Sequence, residues 1–183
     1  MITHIGSITS DKSDNLFNPG DDVTLKVDVS NRKMLSECHT AGHVVDAAMA
    51  KCGLKLPPTK GYHYLDSPYV EYRGSIDVAE RAALVEKLKI AFSSLVEEDI
   101  STKIELVNKS IANDLCNRES NYFEFDEFSD EEPIRVVTIA GLSCPCAGTH
   151  VRKTSDLKER GWNVIGIKSK KGTTRIRYNV TKQ

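Results

Sequence analysis

The sequence predicts an α+β fold: a mostly antiparallel sheet packed against helices, with a short β segment at the N-terminus. Three observations lead there. Residues 34–51 and 77–98 place small and apolar residues at helical spacing. VTLKVDV alternates apolar and polar residues with a period of two, as a half-buried strand does. The order of the elements then sets helices against an antiparallel sheet.

Residues 2–8 and Val23–Val29 read as strands, the second preceded by the turn FNPGDD. They are too short for a domain of their own. Residues 1–30 are therefore expected to be part of a small β-module or an edge of the main sheet, and residues 31–183 the main domain. A helix is expected from Met34 to about Lys51, with Leu35, Cys38, Ala41, Val45, Ala48 and Met49 on one stripe and Gly53 to stop it. LPPTKGYHYLDSPYVEYRG reads as a loop followed by a tyrosine-rich strand around Tyr69–Tyr72. Two helical patterns follow. DVAERAALVEKLKIAFSSLVEE has Val78, Ala82, Val85, Leu88 and Phe92 as its stripe; DISTKIELVNKSIANDLC has Asp99 or Ser101 as N-cap. NYFEFDEFSDEEP is expected as an exposed loop, and IRVVTIAG as a buried strand ended by Gly141. After CPCAGTH, WNVIGIKSKKGTTRIRYNV reads as a hairpin joined by KKGT.

A length of 183 residues suits one ordinary domain, with or without a small appendage. Hydrophobic residues make up 39% and charged residues 28%, as in soluble globular proteins. The formal net charge of -1 supplies no global basic field, so a nucleic-acid partner would have to meet a local patch. The five cysteines (Cys38, Cys52, Cys116, Cys144 and Cys146) are an odd number, which argues against a secreted disulfide framework and for a reducing compartment. The first residues lack the basic and apolar regions of a secretory signal. No apolar run approaches the roughly 18–20 residues needed to span a bilayer. The expected location is the cytoplasm, with no membrane contact.

His39 and His43 stand four apart on the expected helix, so both rings leave the same face and can grip one metal ion. Cys146 and His150 form a second pair, C-A-G-T-H, just after a strand. Together the four supply three imidazoles and a thiolate, a set suited to zinc. Each pair taken alone also fits ordinary hydrogen-bonded core residues. Cys144 is a rival ligand, because C-P-C puts two thiols close together. A conventional metalloprotease needs a glutamate after the first histidine of H-E-x-x-H, and that position is Thr40.

These residues resemble a known family. HTAGHVVDAAM resembles the first zinc motif of the alanyl-tRNA synthetase editing domain and its freestanding relatives, the AlaX proteins. CPCAGTHV resembles their second motif, usually written C-G-G-T-H, and KGYHYLDSPYVEYRG and GTTRIRYNV resemble further family segments. The resemblance runs over residues 22–183, with Ala79–Asn117 the least diagnostic part. The editing domain of threonyl-tRNA synthetase shares the metal scheme, but its second motif is less similar.

The resemblance implies that residues 31–183 form a zinc-binding tRNA-editing domain. Its reaction would hydrolyse the ester joining a wrong amino acid to tRNA, chiefly seryl and also glycyl groups on tRNA(Ala). The need is physical: a pocket built for alanine cannot strongly exclude an analogue that merely adds a hydroxyl, so a second site must remove the error. By the same analogy the zinc positions the aminoacyl end, polarises the ester carbonyl or holds the attacking water. Thr40 and Thr149 are candidates to hydrogen-bond the serine hydroxyl; either could instead bond to the backbone. His63 is a candidate to line the pocket, or is an ordinary strand-edge residue. Lys168, Lys170, Lys171, Arg175 and Arg177 are candidates to clamp tRNA phosphates, or form a solvated hairpin face.

Two departures from the family pattern stand out. Ala147 replaces the first glycine of the second motif, which is expected to narrow the backbone approach to substrate. Residues 1–30 are expected to supply only part of the N-terminal β-module of longer relatives, which bears on tRNA selectivity. Three functions compete: a freestanding hydrolase acting on Ser-tRNA(Ala), a non-catalytic zinc module that binds tRNA or a protein, and an editor of Ser-tRNA(Thr).

Overall fold

The computed structural model describes residues 18, 20–118 and 122–181, so the strand expected at 2–8 lies outside the described residues. It is an α+β fold with two antiparallel sheets. The first has the order β1 (Pro58–Tyr62), β2 (Tyr69–Arg73), β7 (Thr173–Val180), β6 (Trp162–Lys170). The second runs β3 (Lys103–Val107), β4 (Ile134–Ile139), β5 (Leu142–Pro145).

Helix α1 spans Val29–Lys51 and begins five residues before the expected Met34. The Asp28 side chain accepts from the Asn31 N–H at 2.9 Å and caps it. Residues 23–28 are not the expected strand. They belong to no strand among the described residues, with Val23, Leu25 and Val27 60%, 67% and 61% exposed. Period-two alternation makes a strand only where a neighbour takes the backbone hydrogen bonds. The helix ends as Gly53 suggests. At φ 76° it lets the Gly53 N–H reach the Ala50 carbonyl and the Leu54 N–H reach Met49. Cys38, Ala41, Val45, Ala48 and Met49 are buried as expected, whereas Leu35 is exposed.

Helix α2 spans Val78–Glu97, but its buried stripe runs through Leu84, Leu88, Ala91, Phe92, Leu95 and Val96, with Val78 exposed. The second expected helix is corrected. Its first half is strand β3, paired with β4 from Lys103↔Thr138 to Val107↔Ile134. Only Lys109–Cys116 is helical (α3), capped by the Asn108 side chain on the Ile111 N–H at 2.9 Å. KIELV fits a helical stripe and a strand equally well, and pairing with β4 decides between them.

Helices α1 and α2 cover one face of the four-stranded sheet, burying Val70, Tyr72, Trp162, Val164, Ile176 and Tyr178. Strand β4 serves two cores. Val137 and Ile139 join this main cluster, while Ile134 and Val136 meet Ala112, Cys116 and Phe125 under α3. Phe125 is thus buried inside the segment expected to be an exposed loop. The β6–β7 hairpin closes on Lys171 and Gly172, at φ 52° and 76°, the left-handed pair of a type I′ turn.

One buried charge ties α1 to β6. Glu37 is fully buried; it accepts from Trp162 Nε1 at 3.0 Å and faces Arg160 Nε at 3.1 Å. Removing the carboxylate strands both donors. Glu37→Ala should therefore lower unfolding free energy by about 3 kcal/mol or more, and Glu37→Gln by less, because it keeps an acceptor for Trp162. Urea denaturation of the three proteins measures this, and equal stability of all three would contradict it.

Candidate metal centre

Two turns of α1 carry His39, His43 and Asp46 towards the interior. The β4–β5 hairpin brings the second half of the site to it. Ala140 and Gly141, at φ 50° and 86°, make the tight turn, and β5 runs back along β4 with Cys144 opposite Val137. Beyond its end, the Cys146 N–H still donates to the Arg135 carbonyl at 3.0 Å, and the Arg135 guanidinium donates to the Cys146 carbonyl. Cys146 is therefore held from both sides of its backbone.

His39, His43, Cys146 and His150 each offer a donor atom within 4.8 Å of the others. The Nε2 atoms of His39 and His43 are 3.3 Å apart; Cys146 Sγ is 3.5 Å from His39 Nε2 and 3.4 Å from His150 Nε2. Nitrogen and sulfur donors set tetrahedrally at about 2.0–2.3 Å from one centre stand roughly 3.3–3.6 Å apart. The cluster thus has the donor chemistry of a zinc site, and these three separations match edges of a zinc tetrahedron. Cys144 is not one of the four. Its Sγ lies 3.5 Å from His43 Nδ1, the nitrogen on the other side of that ring.

Protonation states agree with this division. The neighbouring Cys144 thiol, and then the His150 and His39 rings, hold the Cys146 thiol far below its ordinary value against the opposing effect of burial. Cys144 is pushed far up by Cys146 and by burial, so it keeps the shared proton. Burial lowers His150, which favours the neutral imidazole that a metal requires. Burial, and then the His39 and His43 rings, pull His63 down to about 3.

The other candidates fall in distinct places. Thr40 is fully buried; it accepts from the Val151 N–H at 3.1 Å and lies 3.2 Å from His150 Nδ1, so it orients the His150 ring. Thr149 shares a 2.9 Å hydrogen bond with Ser36. Neither threonine lines the cavity beside the cluster. His63 does: its ring centroid is 4.6 Å from that of His39, and its Nδ1 is 2.6 Å from the Tyr178 hydroxyl. The cavity holds about 690 Å³ and extends from His39, His43 and Cys146 past Asp46 to Lys60 and Arg118. Lys168, Lys170, Lys171 and Arg175 line a different open groove, with Arg177 on the same hairpin.

Sequence reading missed Asp46, Tyr178 and the role of Gly148. Asp46 follows His43 by three and His39 by seven residues, a spacing that places all three on one helix face. Its carboxyl is raised by burial, against the pull of His43 and of the Tyr72 hydroxyl, which donates to it at 2.5 Å. Tyr178 reaches His63 across 115 residues, and no local pattern announces that. At Gly148 a Cβ would stand 2.1 Å from His39 Cε1, whereas Ala147 is exposed. The position that must be glycine is 148.

An α+β chain with a three-histidine, one-cysteine cluster at a cavity is thus defined without reference to other proteins. Comparison then places it beside alanine–tRNA ligases. It is 25% identical over 165 residues to alanine–tRNA ligase 1 of Lachnoclostridium phytofermentans, covering 85% of this chain and 17% of that protein. It is 27% identical over 156 residues to alanine–tRNA ligase of Mycoplasma genitalium (78% of this chain, 16% of that protein). It is 26% identical over 147 residues to the Acholeplasma laidlawii enzyme, with the same coverage. The chain therefore spans about a sixth of the length of the curated relatives it matches. No protein-family model matches it.

The packing of His39 on residue 148 makes a specific prediction. Gly148→Ala should weaken zinc binding at least about tenfold by displacing the His39 ring, and Ala147→Gly should leave it unchanged. Competition with a chromophoric chelator reads both. Equal affinity of the two variants would contradict the geometry.

Proposed function

We propose that the chain is a zinc-dependent hydrolase of the freestanding AlaX type, which removes wrongly attached serine, and glycine, from tRNA(Ala). The observation that carries this reading is the convergence of His39, His43, Cys146 and His150 at a cavity that also holds Asp46 and His63. The resemblance of both motifs to the editing domain supports it, and the similarity to alanine–tRNA ligases favours tRNA(Ala) over tRNA(Thr).

Zinc in this site would supply a Lewis acid for the ester carbonyl, or an anchor for the aminoacyl end. The chain's own groups do the rest. Asp46, its carboxyl raised by burial and held by Tyr72, is suited to take a proton from water beside the ester. His63, kept neutral and fixed by Tyr178, offers a ring nitrogen to the substrate without adding charge beside the cluster. Thr40 acts through His150. With the Thr149 hydroxyl engaged by Ser36, serine recognition falls to groups that line the cavity. Lys168, Lys170, Lys171, Arg175 and Arg177 are proposed to meet tRNA phosphates. The cytoplasm is the corresponding location, and among the described residues no helix is long and apolar enough to cross a membrane.

One observation favours a second reading. Four protein donors close a zinc shell, as in structural sites, which fits a non-catalytic zinc module that binds tRNA.

Deacylation separates the two. In the absence of any synthetase, the zinc-loaded chain should release serine from Ser-tRNA(Ala) and leave Ala-tRNA(Ala) intact. A chelator should abolish the activity and added zinc restore it, and Asp46→Asn should lower kcat about 100-fold. Zinc-loaded protein that binds tRNA but never turns over the seryl ester would establish the non-catalytic module instead.

A further inference from the structure

The helices cover only one face of the four-stranded sheet, and the other face is open. Its composition follows from the register. Tyr62 of β1 is opposite Tyr69 of β2, which is opposite Arg177 of β7. The next row is Lys60, Glu71, Arg175 and Lys168, and the row after it contains Arg73 and Lys170. Side chains on one face of a sheet recur every second residue, so these rows share the face that Val70, Tyr72, Ile176 and Tyr178 leave behind.

Six basic residues on this face are met by Glu71 within the sheet and by Asp66 at its tyrosine end, where the Tyr62 hydroxyl donates to it at 3.3 Å. Glu71 is bonded to Arg175 at 2.7 Å, and among the described residues Lys60, Arg73, Lys168, Lys170 and Arg177 make no ion pair. In a chain of net charge -1 this is a local concentration of positive charge with no internal use. The aromatic part is equally ordered. The Tyr62 and Tyr69 rings stack at 5.3 Å and 11°, and the Arg175 guanidinium lies 4.6 Å over Tyr69. Flat aromatic and guanidinium surfaces among unpaired cations suit a polyanion that carries exposed planar bases.

This face also borders the cavity. Strand β1 is the sheet's edge, Lys60 and Gly61 line the cavity, and His63 follows Tyr62 directly while turning its ring to His39. Glycine at 61 lets the His63 ring pack against β1, since a Cβ there would stand 2.2 Å from His63 Nε2.

We propose that the open sheet face is a platform for unpaired RNA. Bases stack at the Tyr62 end of the Tyr62–Tyr69–Arg175 stack, Lys168, Lys170 and Arg177 meet the phosphates, and the strand passes over the edge strand β1 into the metal cavity that Lys60 and Gly61 line. The choice of RNA rests on the hydrolase reading above; the platform itself rests on the face.

The test uses a labelled single-stranded RNA oligonucleotide without an aminoacyl group and the same sequence as a duplex, followed by fluorescence anisotropy. The single strand should bind at least about tenfold more tightly than the duplex. Tyr69→Ser and Tyr62→Ser should each weaken it about tenfold while Tyr69→Phe and Tyr62→Phe keep it. Arg177→Ala should reduce the slope of log K against log salt by about one. Equal binding of duplex and single strand, equal binding of phosphatidylserine vesicles, or serine variants that bind like the parent would overturn the platform. Because the probe carries no ester, tight single-strand binding by a protein that cannot deacylate would remove the hydrolase reading and keep the platform. Full deacylation of Ser-tRNA(Ala) by the serine variants would do the reverse.

Discussion

The candidate site depends on one packing constraint: the middle turns of α1 must lie against the loop that leaves β5. His39 and His43 are brought together by the helix itself, but Cys146 and His150 arrive from more than 100 residues away. Three contacts fix the approach. The Thr40 hydroxyl, buried beneath the loop, accepts the Val151 N–H and meets His150 Nδ1. Arg135 grips the Cys146 backbone from the neighbouring strand. Gly148 lets the loop backbone close on the His39 ring. A side chain at residue 148, or loss of the Thr40 acceptor, would push the loop off the helix and separate the two donor pairs.

Burial, and then the neighbouring rings, disfavour the charged forms of His150 and His63. A thiolate at Cys146 is nonetheless maintained, because Cys144 gives it a proton to share and the rings surround it. A divalent cation binds neutral imidazole and thiolate, and Cys144, 3.5 Å from the far nitrogen of His43, belongs to the support of that arrangement.

What could be read from the chain was what repeats locally. The α1 periodicity, the hairpin closed by KKGT and the His39–His43 pair follow from spacing, whereas Cys146 is told from Cys144 only by the tertiary arrangement. The failures came where tertiary partners decide. Val23–Val29 alternates like a strand but meets no neighbour among the described residues, and Lys103–Val107 carries a helical stripe but pairs with β4. Asp46 was legible in the helix spacing and was passed over. Tyr178 beside His63, Phe125 under α3 and the glycine requirement at 148 are long-range contacts that no window of the sequence contains.

The central claim is that residues from α1 and from the loop after β5 share one divalent ion. X-ray absorption at the zinc edge, on protein purified without added metal and analysed for zinc content, tests it most directly. The account predicts one zinc per chain in a shell of three nitrogen donors and one sulfur. A shell with two sulfurs would put Cys144 in the place of a histidine, and protein that holds no zinc at micromolar concentrations would remove the metal centre altogether.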